Sequence, residues 1–202
     1  MKKQLLVMGL MLIAVTASGQ RTSSSSSSNV YRSSSSFEGV SSFYIQYDAV
    51  SLDDISLNGI GIGFTHSWGI SSSAPLYIQS GIGFQYAFGS EDEVDYNMYS
   101  VSIPVNLGYQ FQISDGFALA PYLGVNARYY LGGKAKVDDY EIKLFDSDEG
   151  DCNAFAFGWQ IGVKALLGKT FAAGISYGTD FTEMVEDADK IGSLKVTLSF
   201  NF

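Results

Sequence analysis

From residue 37 to residue 202 the chain alternates, with an apolar side chain at nearly every second position and mostly Gly, Ala, Ser, Thr, Asn or Gln between. The stretch "SIPVNLGYQF" puts Ile103, Val105, Leu107, Tyr109 and Phe111 on one face and Ser102, Pro104, Asn106, Gly108 and Gln110 on the other. In "APYLGVNARYY", Pro121, Leu123, Val125, Ala127 and Tyr129 oppose Tyr122, Gly124, Asn126 and Arg128. A period of two is the signature of a strand, because successive side chains leave opposite faces of the backbone. Eight segments carry it: 37–50, 56–68, 76–88, 96–111, 117–131, 153–166, 170–179 and 191–202. No stretch keeps a helical period over an adequate length.

Segment length decides between water and lipid. Soluble strands run to about five or six residues, whereas a tilted strand crossing a bilayer needs roughly nine to eleven. These segments are about that long or longer. An open sheet in hydrocarbon would leave backbone groups unpaired at several kcal/mol each, so a membrane sheet must close. The expected fold is therefore all-β, an eight-stranded antiparallel up-and-down transmembrane β-barrel with its apolar face outward. A soluble lipocalin-like binding barrel is the alternative in which that face turns inward.

The connections sort by charge. Alternate ones, at 51–55, 89–95, 132–152 and 180–190, hold eighteen of the 21 carboxylates, including Asp53, Asp54, Glu91, Asp95, Asp138, Asp151, Asp180 and Asp189. The others, "GISSSAP", "QISDG" and "LGK", hold only Asp115. Long acidic loops at one end and short turns at the other suit an outer-membrane barrel with both termini periplasmic. The carboxylate density also raises divalent cations as partners, bridging to lipopolysaccharide phosphates; plain solvated charge is the blander reading.

Ahead of the barrel, "MKKQLLVMGLMLIAVTASGQ" has the basic start, short apolar run and small residues of a signal peptide, residues 1–19. Residues 20–36 hold ten serines and little to bury, and read as a disordered tail before the barrel at 37–202. Cleavage would remove Lys2 and Lys3, so the formal charge of -9 becomes about -11, a poor surface for nucleic acid. The single cysteine, Cys152, excludes an intramolecular disulfide, and with a single histidine a zinc site has too few ligands.

Glu38, Asp48, Arg128, Lys164 and Lys195 fall on the inward face. An eight-stranded barrel is filled by its own side chains, so the three cations are expected to pair with Glu38, Asp48 or shared hydrogen-bond partners. That describes a packed polar plug; a narrow pore for ions or small solutes is the sharper alternative. Trp68 is expected at the inner rim and Tyr86, Phe88 and Tyr129 near the outer one. His66 points outward, while Ser67 points inward, so no catalytic group assembles around it. No catalytic, cofactor-binding or metal-ligating residue is singled out, no cofactor is called for, and the reading is non-enzymatic. Pro104 and Pro121 lie inside strands and each removes a ladder donor, which predicts a bulge or local irregularity at both.

With "SIPVNLGYQF", "APYLGVNARYY" and the closing "IGSLKVTLSFNF", the chain resembles the outer-membrane β-barrel domain proteins of the Bacteroidetes, a group that includes PorT-like proteins. OmpX-like and OmpA-like small barrels share the architecture. The resemblance covers about residues 37–202 and implies eight strands inserted by the barrel assembly machinery. Leu194, Val196, Leu198, Phe200 and Phe202 then look like that machinery's recognition signal, with Gly192 a loose fit to its glycine position. PorT-like members are linked with protein secretion, but no residue here carries that role. The expected protein is a small monomeric barrel of the Gram-negative outer membrane, structural or surface-interacting, with lipid and lipopolysaccharide as partners.

Overall fold

The computed structural model describes residue 37 and residues 39–52, 55–91, 93–137, 140–145, 152–183 and 190–202. The expected signal peptide and serine-rich tail, and Glu38, lie outside the described residues. The strands are β1 (Val40–Leu52), β2 (Ile55–Gly69), β3 (Leu76–Glu91), β4 (Val94–Tyr109), β5 (Phe111–Ser114), β6 (Phe117–Val137), β7 (Tyr140–Lys143), β8 (Phe155–Leu167), β9 (Phe171–Asp180) and β10 (Gly192–Asn201).

They form one antiparallel barrel. β1 to β4 pair in sequence, β4 and β5 together make one wall strand against β6, β8 pairs with β6 and then β9 and β10 follow in order, and β10 closes on β1 from Ser42↔Asn201 to Ser51↔Gly192. β7 is a short hairpin return on the far end of β6, so the wall has eight strands. One end carries residues 37 and 202 and the turns 70–75, 115–116 and 168–170; at the other lie Leu52, Ile55, Glu91, Val94, the far end of β6 with β7, and residues 181–183 and 190–191. They are called the terminus end and the loop end below. Gly116 (φ 86°) and Gly168 (φ 66°) occupy left-handed positions in two of the terminus-end turns, where a side chain would be strained.

The apolar face is outside. Ile62 and Leu123, near the middle of their strands, are 61% and 62% exposed, and Phe43, Ile45, Ile82, Ile103, Ile161 and Ile175 share that surface. Ser42, Asp48, Thr65, Gln85, Asn106, Asn126, Arg128 and Gln160 are buried within. The arrangement is the reverse of a soluble protein and leaves a hydrocarbon-facing belt around a polar interior. Aromatic rings gather toward both borders: Tyr86 stacks on Tyr99 at 4.9 Å near the loop end, and Phe43, Phe64, Phe200 and Phe202 cluster near the terminus end.

One expectation needs correction. Around 51–55 and 89–95, and over much of 132–152, the expected loops are strand: β1 and β2 are separated by two residues, as are β3 and β4, and β6 runs on to Val137 before turning into β7. Above the belt both sheet faces meet polar surroundings, so alternation fades from the sequence while the backbone pairing continues. Both prolines give the local irregularity expected of them, as gaps in the ladder and not as bulges. The β3–β4 ladder skips the positions opposite Ile103 and Pro104, and the β4–β5 wall breaks at Gln110, facing Pro121 and its neighbour. The register is the same on both sides of each gap. Each missing N–H thus interrupts hydrogen bonding toward one neighbour without inserting a residue. The shifts lie elsewhere, at Tyr99/Ser100 against β6, where Leu131 is the extra residue, and at Gln112/Ser114.

Candidate functional site

The barrel interior is layered along its axis. In the middle, Gln160 Nε2 donates to Asn106 Oδ1 at 2.6 Å, Asn106 Nδ2 reaches Gln79 Oε1 at 3.4 Å, and Gln79 Nε2 donates to Ser67 Oγ at 2.9 Å. Lys164 Nζ donates to the same Gln79 oxygen at 2.5 Å and lies 5.1 Å from the Tyr122 ring centroid. These residues come from β2, β3, β4, β6 and β8, so the network ties opposite walls together. Large inward rings need small neighbours. A Cβ on Gly63 or Gly83 would overlap Tyr44, and one on Gly108 would overlap Tyr77, so glycine is what lets these tyrosines fit.

Toward the loop end lies the main ion pair. Arg128 Nη1 sits 3.3 Å from Asp180 Oδ2 and donates to Tyr130 Oη at 3.2 Å, both carboxylate and guanidinium being almost fully buried. Asp48 is completely buried; its Oδ2 accepts from Gln46 Nε2 at 2.8 Å, and it stands opposite Lys195 in the β1–β10 register. Above this charged layer the lumen turns apolar. Val50, Leu57, Ala87, Met98, Tyr130, Ala156 and Ile191 form one cluster, and Leu144, Phe145 and Cys152 pack against it. Leu144 N–H donates to Gly133 O at 3.0 Å and Cys152 N–H to Leu144 O at 3.3 Å, which holds Leu144 and Cys152 beside the end of β6. The Phe145 ring then stacks on Tyr130 at 4.8 Å.

Toward the terminus end the lumen opens. A cavity of about 60 Å³ in the middle adjoins one of about 40 Å³, which in turn adjoins a mouth cavity of about 530 Å³. The two small chambers have room for a few waters each.

The inward charges expected from the sequence are where they should be, except Glu38, which lies outside the described residues. Their partners differ. Arg128 binds Asp180, which the sequence reading assigned to a loop, and Lys164 takes a neutral amide oxygen. Continuing the alternation one step, with Ile175, Tyr177 and Thr179 outward and Ser176, Gly178 and Asp180 inward, would have found Asp180. The polar-plug expectation also missed the apolar layer, since Val50, Leu57, Met98 and Ile191 are not polar.

On the outer face, His66 Nδ1 is 2.8 Å from Ser41 Oγ, not from Ser67, and its ring lies 4.6 Å from that of Trp68. Ser41 and His66 are register partners on β1 and β2, a proximity the linear sequence cannot show. The contact satisfies both polar groups beside the belt. At the loop end, Lys134 Nζ and Glu141 form an exposed ion pair of 2.6 Å across the β6–β7 hairpin, which raises the lysine above its usual value and holds the carboxyl below its own. Asp53, Asp54, Asp92, Asp138, Asp139 and the acids within 146–151 and 184–189 lie outside the described residues. Among the described residues, no group of three or more His, Cys, Asp or Glu could hold a metal ion.

The model of the outer membrane protein beta-barrel domain matches residues 7–202. The chain belongs to the outer membrane protein beta-barrel domain family. No curated protein matches the sequence. Solved structures do match the fold. Neisserial surface protein A is 12% identical with a TM-score of 0.51, over 82% of this chain and 97% of that one. Ail, the attachment invasion locus protein of Yersinia pestis, is 15% identical with a TM-score of 0.51, over 82% and 100%. The outer membrane enzyme PagL is 16% identical with a TM-score of 0.51, over 77% and 97%. At such identities the likeness is one of fold. A surface protein and an enzyme share this family's architecture, so the role must be argued from the chain's own residues.

Proposed function

We propose that the protein is a non-conducting, non-enzymatic outer-membrane barrel with a structural or surface-interaction role, presenting its loop end to the exterior. The observation that carries this is the closure of the lumen: the Arg128–Asp180 layer and the apolar cluster under Phe145 lie across the axis between the two ends. An ion crossing that apolar layer would shed its hydration with no polar group to replace it. A role confined to the loop end fits the chain's extra investment there, where β6 and β7 carry the sheet beyond the wall.

Both termini are then periplasmic, and the outward row of Leu194, Phe200 and Phe202 beside the β1–β10 seam supports recognition by the barrel assembly machinery. Lipid and lipopolysaccharide surround the belt as a monomer would require, with divalent cations at the acidic connections as a further partner. The finer affiliation with PorT-like proteins of the Bacteroidetes rests on the three sequence motifs given above.

Planar-bilayer recording tests the closed lumen. Protein inserted in the native fold is expected to give no steady current; reproducible single-channel steps would favour the pore. Protease treatment of whole cells tests the orientation, with cleavage in 146–151 or 184–189 expected and cleavage confined to broken cells contradicting it.

A further inference from the structure

The lumen cavities form a blind well. The mouth cavity shares Phe37, Gln110 and Asn201 with the 40 Å³ chamber, which shares Gln79, Lys164 and Ser199 with the 60 Å³ chamber. Cations mark the descent: Lys169 at the mouth, Lys164 on the wall between the two chambers, and Lys195 lining the deepest. Neither Lys164 nor Lys195 has an ion pair within 4.0 Å among the described residues, where the only two such pairs are Arg128–Asp180 and Lys134–Glu141. Lys164 is held by a neutral amide, and Lys195, although it stands opposite the Asp48 carboxylate in the β1–β10 register, lines the chamber while Asp48 does not. The remaining lining includes hydroxyls of Tyr44, Tyr122 and Ser176, all able to donate.

Two ammonium groups lining one small chamber, with hydrocarbon outside the wall, repel each other and have little bulk water to screen them. We infer that the deepest chamber binds a small monovalent inorganic anion, of the chloride class, between Lys164 and Lys195. Its volume of about 60 Å³ suits a halide with a water and excludes an organic solute. Entry is from the terminus end, past Lys164 once its ammonium leaves Gln79. The closed lumen proposed above enters only in that direction of approach.

The test uses the full chain folded in detergent, at constant ionic strength, with bulky gluconate exchanged for chloride or bromide. A saturable rise in the unfolding midpoint is expected, together with excess broadening of the chloride-35 resonance. Both effects should vanish in Lys164→Met and Lys195→Met and persist in Lys136→Met, which changes the outer hairpin. Equal midpoints in gluconate and chloride, or a chloride effect that survives both lumen variants, would overturn the inference. Should a lumen variant not fold, crystals of the unaltered protein grown in bromide decide: an anomalous peak in the chamber supports the site and its absence defeats it. A chloride-dependent current in bilayers would instead defeat the closed lumen while leaving the site in place.

Discussion

Arg128 on β6 reaches past the intervening strand to Asp180 at the end of β9, Nη1 to Oδ2 3.3 Å, over Gly158 of β8. A Cβ on Gly158 would press into the Asp180 carboxylate. The pair therefore depends on a glycine between its two members as well as on opposite charge, and it braces three consecutive wall strands just beneath the apolar layer. Removing Asp180 leaves a guanidinium buried without its counter-charge. Asp180→Ala is expected to destabilise the barrel by about 3–5 kcal/mol, read as a lower urea midpoint in lipid vesicles. The double variant Arg128→Met, Asp180→Leu should recover much of that; equal loss in both would contradict the electrostatic account.

The fit of Tyr44 between Gly63 and Gly83 yields a second expectation. Gly63→Val forces the ring out of place, with a cost of about 1–3 kcal/mol for overpacking. Adding Tyr44→Ala should relieve only part of it, because the Ile82 carbonyl oxygen also crowds that Cβ. Heat-modifiable gel migration reports the folded fraction, and a Gly63→Val protein as stable as the parent would show that the ring is elsewhere.

Ile62 stands near mid-height on the outer face. Ile62→Arg should cost about 2–4 kcal/mol at the bilayer midplane, while Ile62→Leu should be nearly silent. Denaturant titrations in phosphatidylcholine vesicles measure both. A tolerated arginine would mean that the belt does not face hydrocarbon.

The Lys134–Glu141 tie has a pH signature. Because the Glu141 carboxyl is held below its ordinary value, its contribution is present above the unfolded-chain value and is lost as pH falls through the folded one. Lys134, held above its ordinary value, loses its share only as pH rises through the folded lysine value. Both groups are exposed, so the barrel midpoint should hardly move. Nitrogen-15 relaxation at Ile142 is expected to show a looser hairpin at pH 3 than at pH 7, and Glu141→Gln should erase the difference.

Alternation made the wall legible: Phe43, Ile62, Val105 and Leu123 face outward as their positions in the sequence require. Parity tells which side of a sheet a residue occupies but not its height along the axis or its cross-strand neighbour. Asp180 and Arg128 lie 52 positions apart, and Ser41 and His66 lie 25, so neither contact could be read from spacing. The apolar layer was hidden for another reason. Val50, Leu57 and Met98 are single residues on separate strands, and they become one surface only when register brings them level under Phe145.

The seam between β1 and β10 has a kinetic consequence. The wall's first strand finds its second neighbour only in its last, from Ser42↔Asn201 to Ser51↔Gly192, so no partly inserted intermediate can have both margins of the sheet satisfied. Crossing the bilayer strand by strand would expose bare amides to acyl chains at every stage. Insertion and circularisation must therefore proceed together, and the rate of acquiring the native state should be governed by how often the two ends of a nearly complete sheet meet.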